Sequence, residues 1–195
     1  PRSVLLVSFG SLAPLSPSQL TELGLGLEMS GHRILWVIRP DQIVGPDSPL
    51  LPDDFFLRNH ARISVISWVP QLRVLSHPSL AGFFTHCGWN STLESISSGV
   101  PMLAWPFFGD QMQNARFIVD VWRIGLRLLE PGCSQITRNV VAMKIVQLMD
   151  GEIGQCLRQR ARDLKRVVDM AIAPDGSSTK NMLCLAKRLA KRNLK

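Results

Sequence analysis

Residues 80–105 read LAGFFTHCGWNSTLESISSGVPMLAW, and they hold a whole strand–turn–helix–strand unit. Residues 80–85 form an apolar run of strand length, residues 90–98 have helical spacing and stop at Gly99, and residues 102–105 resume as a strand. Short apolar runs without polar alternation are the mark of strands buried on both faces. The unit therefore predicts a parallel sheet with helical crossovers.

The same alternation extends outward. Residues 4–9 are a buried-strand run that ends in Gly10-Ser11. Ser16, Pro17 and Gln19 then supply an N-cap, a first-turn proline and a capping-box partner, and Leu20, Leu23 and Leu27 follow at helical spacing up to Gly31. Gly24 and Gly26 each weaken this helix by roughly 1 kcal/mol, so they mark a close backbone approach. Strands are expected at 34–38, 63–66 and 126–128. Helices are expected at 71–76, 111–122, 137–149, 152–172 and, after Pro174-Asp175-Gly176, at 177–193. The Pro- and Asp-rich stretch 40–54 reads as a surface loop. The expected class is α/β, a doubly wound parallel sheet with helices on both faces, which binds ligands where its strands end.

At 195 residues, 46% apolar and 19% charged, the chain suits one well-buried domain, or at most two small ones. No apolar run approaches the ~20 residues of a membrane span, and no basic-then-apolar leader opens the sequence. It starts at Pro1, three residues before a strand, and reads as a piece of something longer. Cys87, Cys133, Cys156 and Cys184 are far apart without a C-x-x-C pair, which suggests reduced thiols in a cytoplasmic compartment. The formal charge of +7 is concentrated late: residues 156–195 hold eleven Lys/Arg against three Asp/Glu. Such a tail suits either an anionic partner or a solvated helix face. No aromatic residues interleave with it, as a single-strand stacking surface needs.

The unusual residues gather at strand ends: Gly10-Ser11, 68–71, 86–91 and Asp110-Gln111. A catalytic Cys87 needs a base, and adjacent side chains, such as that of His86, as a rule point apart in a turn. A metal needs three or four ligands, and this stretch offers one convincing pair. An anion accounts for more: Gly88 followed by a helix opening with Asn90 and Ser91 presents free N–H groups at the positive end of a helix dipole, with His86 as a further donor. Glu94 is then either a partner of the helix dipole or an acceptor for a ribose diol. Trp68 is either core or a base-stacking platform worth ~1–3 kcal/mol. Asp110 either caps a helix or, with Gln111, binds sugar hydroxyls.

Residues 68–111, WVPQLRVLSHPSLAGFFTHCGWNSTLESISSGVPMLAWPFFGDQ, resemble the plant secondary-product glycosyltransferase box. The segment has that box's 44-residue length, W-x-P-Q at its start, H-C-G-W-N-S in its middle, Glu94, G-V-P, and D-Q at its end. VSFGS (7–11), LWVIR (35–39) and GSSTKN (176–181) extend the likeness to plant family 1 UDP-glycosyltransferases over most of the chain. The resemblance implies the donor-binding, Rossmann-like half of a GT-B fold in residues 1–173 and a basic crossover helix in 174–195. The N-terminal acceptor domain is then absent.

By the same resemblance Trp68 stacks on uracil, the Val69 backbone pairs with its edge, and Gln71 and Glu94 hold the ribose. His86, Asn90, Ser91 and Ser11 hold the diphosphate, and Asp110 and Gln111 the sugar. Gln111, where galactose users more often carry His, and Trp89, where glucuronic-acid users can carry Arg, imply UDP-glucose. The resemblance implies inversion in one displacement, a general-base His in the missing half, a UDP-sugar co-substrate, and no metal. His32 and His60 are expected on the wrong sheet edge, His77 is structural, and none fits the base. A non-catalytic UDP-binding module or truncated relic is the alternative; a nucleic-acid partner or stable membrane insertion is not expected.

Overall fold

The computed structural model describes residues 2–10, 15–39, 51–130, 132, 133 and 135–192. Six strands, β1 (Val4–Ser8), β2 (Arg33–Val37), β3 (Ile63–Ile66), β4 (Leu80–Thr85), β5 (Met102–Ala104) and β6 (Gly125–Arg127), form one sheet in the order β3-β2-β1-β4-β5-β6. Every pairing is parallel. The chain enters at the centre, winds outward to β3, and returns to lay β4 beside β1. The order reverses between those two strands, so their carboxyl ends flank the crevice where such sheets bind ligands. Register sets Ser8 opposite Thr85, and the turns that follow β1 and β4 therefore leave the sheet side by side.

The helices are α1 (Pro17–Met29), α2 (Phe55–Asn59), α3 (Gln71–Leu75), α4 (Trp89–Ser98), α5 (Gln111–Arg116), α6 (Arg138–Met149), α7 (Gly151–Ile172) and α8 (Ser177–Arg192). On one face Leu5 and Val7 pack with Leu20, Leu23 and Leu27 of α1 and with Val141, Ile145 and Leu148 of α6. On the other, Leu6, Phe83 and Met102 pack with Leu75, Ile96, Ala115 and Ala161 from α3, α4, α5 and α7. All six residues of β4 are buried, which is why its sequence shows no alternation. Truncating a ring such as Phe83 or Phe84 to alanine here costs on the order of 3–5 kcal/mol.

The α1 start follows its sequence. Ser16 Oγ accepts from the Gln19 N–H, and the Gln19 side chain accepts from the Ser16 N–H. Gly26 allows the expected close approach, since a Cβ there would lie 2.5 Å from Val141 Cβ and 2.9 Å from the Arg138 carbonyl oxygen.

Two elements differ from expectation. The helix expected at 111–122 changes at Phe117 to a π-helical turn, Phe117–Val121, in which Trp122 N–H donates to the Phe117 carbonyl at 2.8 Å. Arg123 follows at φ 53°, and together they redirect the chain into β6. The short α2 falls where no helix is expected. Of the loop expected at 40–54, residues 40–50 lie outside the described residues.

The late Lys and Arg among the described residues lie along α7 and α8. Lys165 pairs with Asp169 and Arg166 with Asp163, as on a solvated helix face. On α8 Met182, Leu183, Leu185 and Leu189 are exposed. Among the described residues, no helix is long and apolar enough to cross a membrane.

Candidate functional site

Gly10, at the end of β1, and His86, at the end of β4, meet at the switch point. A Cβ on Gly10 would lie 2.7 Å from both Cε1 and Nε2 of His86. A Cβ on Gly88 would collide with His86 Nε2. The imidazole thus lies against both glycine backbones, and a larger residue at either place would have to displace the ring. Gly88 has an ordinary φ of −58°, so its requirement is space, whereas Gly10 also adopts φ 70°. His86 Nδ1 is buried without a hydrogen-bond partner. Burial lowers the imidazole's pKa, and the Asp110 carboxylate opposes that shift through space. The neutral ring is therefore the resting form near neutrality.

Helix α4 opens directly after this turn. Its N-cap, Gly88, offers no side chain to cap it. The first N–H groups, at Trp89, Asn90 and Ser91, accordingly lack a side-chain cap and lie at the positive helix end. Ser91 is buried, while Trp89 and Asn90 are exposed. Gln71, the first residue of α3, reaches across: its Nε2 donates to Ser91 Oγ at 2.9 Å and to Glu94 Oε2 at 2.7 Å. Helix α4 has no acid in its first turn. Glu94 is therefore poorly placed as a dipole partner, and its bond to Gln71 is the contact that orients it.

Asp110 stands at the N-cap of α5 but makes no capping hydrogen bond. Its Oδ2 instead accepts from Asn114 Nδ2 at 2.9 Å. Gln111 is buried, and its Oε1 accepts from the N–H groups of Phe107 at 2.9 Å and Phe108 at 3.2 Å. Its carbonyl end thereby shapes the preceding loop, and only its Nε2 remains to meet a ligand. Trp68, on the loop after β3, is 71% exposed, so it is not the core residue that its alternative reading required. Val69 is half-buried beside it. Ser11 lies outside the described residues.

Cys87 is neither nucleophile nor ligand in this arrangement. It is fully buried, and burial pushes its thiol up to about 12. Among the described residues, no three His, Cys, Asp or Glu side chains gather as a metal ion would require. The other histidines have partners away from the crevice. His32 Nε2 is 3.2 Å from Asp150, His60 Nδ1 is 2.7 Å from the Leu57 carbonyl, and His77 Nδ1 accepts from the Ser79 N–H. Sequence reasoning misses Asn114, for which the available signal is its i+4 spacing from Asp110. It also misses Gly10 as the seat of His86.

A doubly wound parallel sheet with a helix end that no side chain caps at its switch point belongs to the Rossmann-like class of α/β domains. The chain belongs to the UDP-glucoronosyl and UDP-glucosyl transferase family, whose model matches residues 1–147. It is 44% identical over 182 residues to UDP-glycosyltransferase 85A5 of Arabidopsis thaliana, covering 93% of this chain and 37% of that protein. It is 44% identical over 183 residues to 7-deoxyloganetic acid glucosyltransferase of Catharanthus roseus, again covering 93% and 37%.

Among solved structures it resembles Phytolacca americana UGT2 complexed with UDP-2fluoro-glucose and pterostilbene (TM-score 0.86, 41% identity, 97% of this chain and 42% of that one). It also resembles Os79 from O. sativa in complex with UDP (TM-score 0.88, 34% identity, 96% and 42%). The fold is a Rossmann-like α/β domain that matches part of these GT-B glycosyltransferase structures. The chain spans about two fifths of the length of the curated relatives it matches.

Proposed function

We propose that this chain is the donor-binding half of an inverting UDP-sugar glycosyltransferase that glucosylates a hydroxyl of a small molecule. The observation that carries the reading is the Gln71–Ser91–Glu94 cluster beside the His86 turn. An acceptor for a diol and donors for a diphosphate adjoin at one sheet edge, and a nucleoside diphosphate needs both. In this reading Trp68 stacks on the uracil, the Val69 backbone reads its edge, and Gln71 and Glu94 take the ribose. His86, Asn90, Ser91 and the N–H groups of α4 take the diphosphate, with a further bond from Ser11. Trp89, Asp110 and Gln111 surround the sugar. Glucose is supported by the names of relatives such as 7-deoxyloganetic acid glucosyltransferase and DIMBOA UDP-glucosyltransferase BX8 of Zea mays.

In the transfer the acceptor oxygen attacks the anomeric carbon as the bond from that carbon to the β-phosphate oxygen breaks. UDP leaves with the electron pair, and the acceptor proton passes to a base. The chain's contribution is electrostatic: the α4 dipole and His86 meet the charge that develops on the leaving diphosphate. The acceptor surface and the base are assigned to the part of the relatives that this chain does not match. No metal has a role in this scheme. The unpaired state of Cys87, Cys133, Cys156 and Cys184 supports a reducing, cytoplasmic setting.

The test is calorimetric titration of the purified chain with UDP and UDP-glucose, with Glu94→Ala alongside. Saturable binding that the substitution weakens is the expected result. A folded chain that binds neither ligand would overturn the reading.

A further inference from the structure

We propose that Asn114 is a positioning residue that ties the sugar-side carboxylate of Asp110 to the diphosphate-side turn at His86 and Cys87, a role that rests on the donor-site reading above. Asn114 lies in α5 and is only 6% exposed. Its Nδ2 donates to the Cys87 carbonyl oxygen at 2.9 Å and to Asp110 Oδ2 at 2.9 Å. A carbonyl and a carboxylate both accept, so the nitrogen end of the amide must face them, and each of its two hydrogens is used.

Neither partner holds its position unaided. Cys87 adopts φ 66°, a backbone state that disfavours any residue with a Cβ. Its N–H is held by Thr85 Oγ1 at 3.2 Å and its carbonyl by Asn114. The turn that carries His86 on one side and Gly88 on the other is thus pinned at both ends of one residue. Asp110 is exposed and makes no capping bond, and the Asn114 amide donates to its carboxylate. Fixing Oδ2 leaves the other carboxylate oxygen to receive a sugar hydroxyl. A ligand that spans both groups, with phosphate at His86 and sugar at Asp110, meets a spacing set in advance by one amide.

The test is titration of the chain with UDP-glucose and with UDP, for the wild type, Asn114→Ala, Asp110→Ala and the double variant. Asn114→Ala is expected to lower affinity for UDP-glucose by roughly tenfold more than affinity for UDP. That selective loss should shrink to near nothing when Asp110 is already alanine, because the two act as one unit. Asn114→Asp keeps the shape but turns a carboxylate toward two acceptors. It should give the same selective loss near neutral pH, and it covers the case in which the alanine variant does not fold. Equal losses for both ligands, or selective losses that simply add in the double variant, overturn the positioning role and leave the donor site standing. If the folded wild type binds no UDP, the donor-site reading falls and the role of Asn114 falls with it.

Discussion

Gln71 Nε2 donates to Glu94 Oε2 at 2.7 Å across 23 residues of chain, joining the start of α3 to the body of α4. The bond uses one acceptor site on the carboxylate and leaves the others to a ligand diol. A carboxylate that accepts from neutral hydroxyls gains roughly 1.5–3 kcal/mol per charge-assisted bond. Glu94→Ala should therefore weaken UDP binding about ten- to a hundredfold. Comparison with 2′,3′-dideoxy-UDP isolates the cause. The wild type should lose affinity for that analogue, and the variant should distinguish it from UDP far less, keeping only what Gln71 contributes. A variant that distinguishes the two as strongly as the wild type does would remove Glu94 from the ribose.

The His86 ring gives a pH signature of fixed sign. Burial holds its pKa below the ordinary 6.5, with Asp110 partly opposing. As pH falls below 6.5 the unfolded chain takes up a proton that the native chain refuses until its lower pKa is reached. Across that window the unfolded state binds more protons, so native stability must fall, and above it His86 adds no slope. A bound diphosphate favours the cation, so UDP-glucose affinity should rise over the same window with measurable proton uptake. His86→Gln should flatten both curves. Glu22 and Glu28, held below 4.5 by hydrogen bonds chiefly from Arg138 and Arg58, act at lower pH, which keeps the two windows apart. Affinity that does not change with pH in the wild type would exclude an ionising His86 contact.

The six strands can be read from sequence within a residue or two because strands buried on both faces admit little but apolar side chains. Helix α2 escapes because the five residues Phe55–Asn59 carry too little periodicity to stand out from a loop. The π turn at Phe117 escapes because it differs from an α turn by one residue of hydrogen-bond offset, within a sequence that suits either. At the site, Gln71, His86 and Asp110 are legible as polar residues at strand ends, and Glu94 as an acid inside the helix that follows His86. Asn114 is not, since its role depends on the Cys87 carbonyl 27 residues away. Nor is the space at Gly10, which is set by a ring delivered from another strand. Contacts of that kind belong to the assembled sheet edge and leave no local pattern.

Thiol chemistry separates Cys87 from its counterparts. Cys133, Cys156 and Cys184 are exposed, while Cys87 is buried with a thiol pushed up to about 12. The thiolate is the reactive form. A colorimetric disulfide reagent should therefore titrate the three exposed thiols of the native chain rapidly and Cys87 only after denaturation. Rapid modification of Cys87 in the folded chain would mean that the His86 turn opens readily, and the pinned geometry argued for it would fail.

Two glycines of α1 make opposite predictions for one substitution. Alanine is the better helix former by about 1 kcal/mol, so both Gly24→Ala and Gly26→Ala begin with a gain. At Gly24 the atoms nearest the new methyl belong to the Leu51 side chain, which can rotate away. At Gly26 it meets Val141 Cβ at 2.5 Å and the Arg138 carbonyl oxygen at 2.9 Å. A backbone oxygen cannot yield without moving α6, and overpacking of that kind costs about 1–3 kcal/mol. The propensity gain should win at Gly24 and lose at Gly26. In urea denaturation the Gly24→Ala midpoint should equal or exceed that of the wild type, and the Gly26→Ala midpoint should fall below it. If Gly26→Ala proved the more stable of the two, α1 and α6 would have room to separate, and the need for glycine at that contact would have to be abandoned.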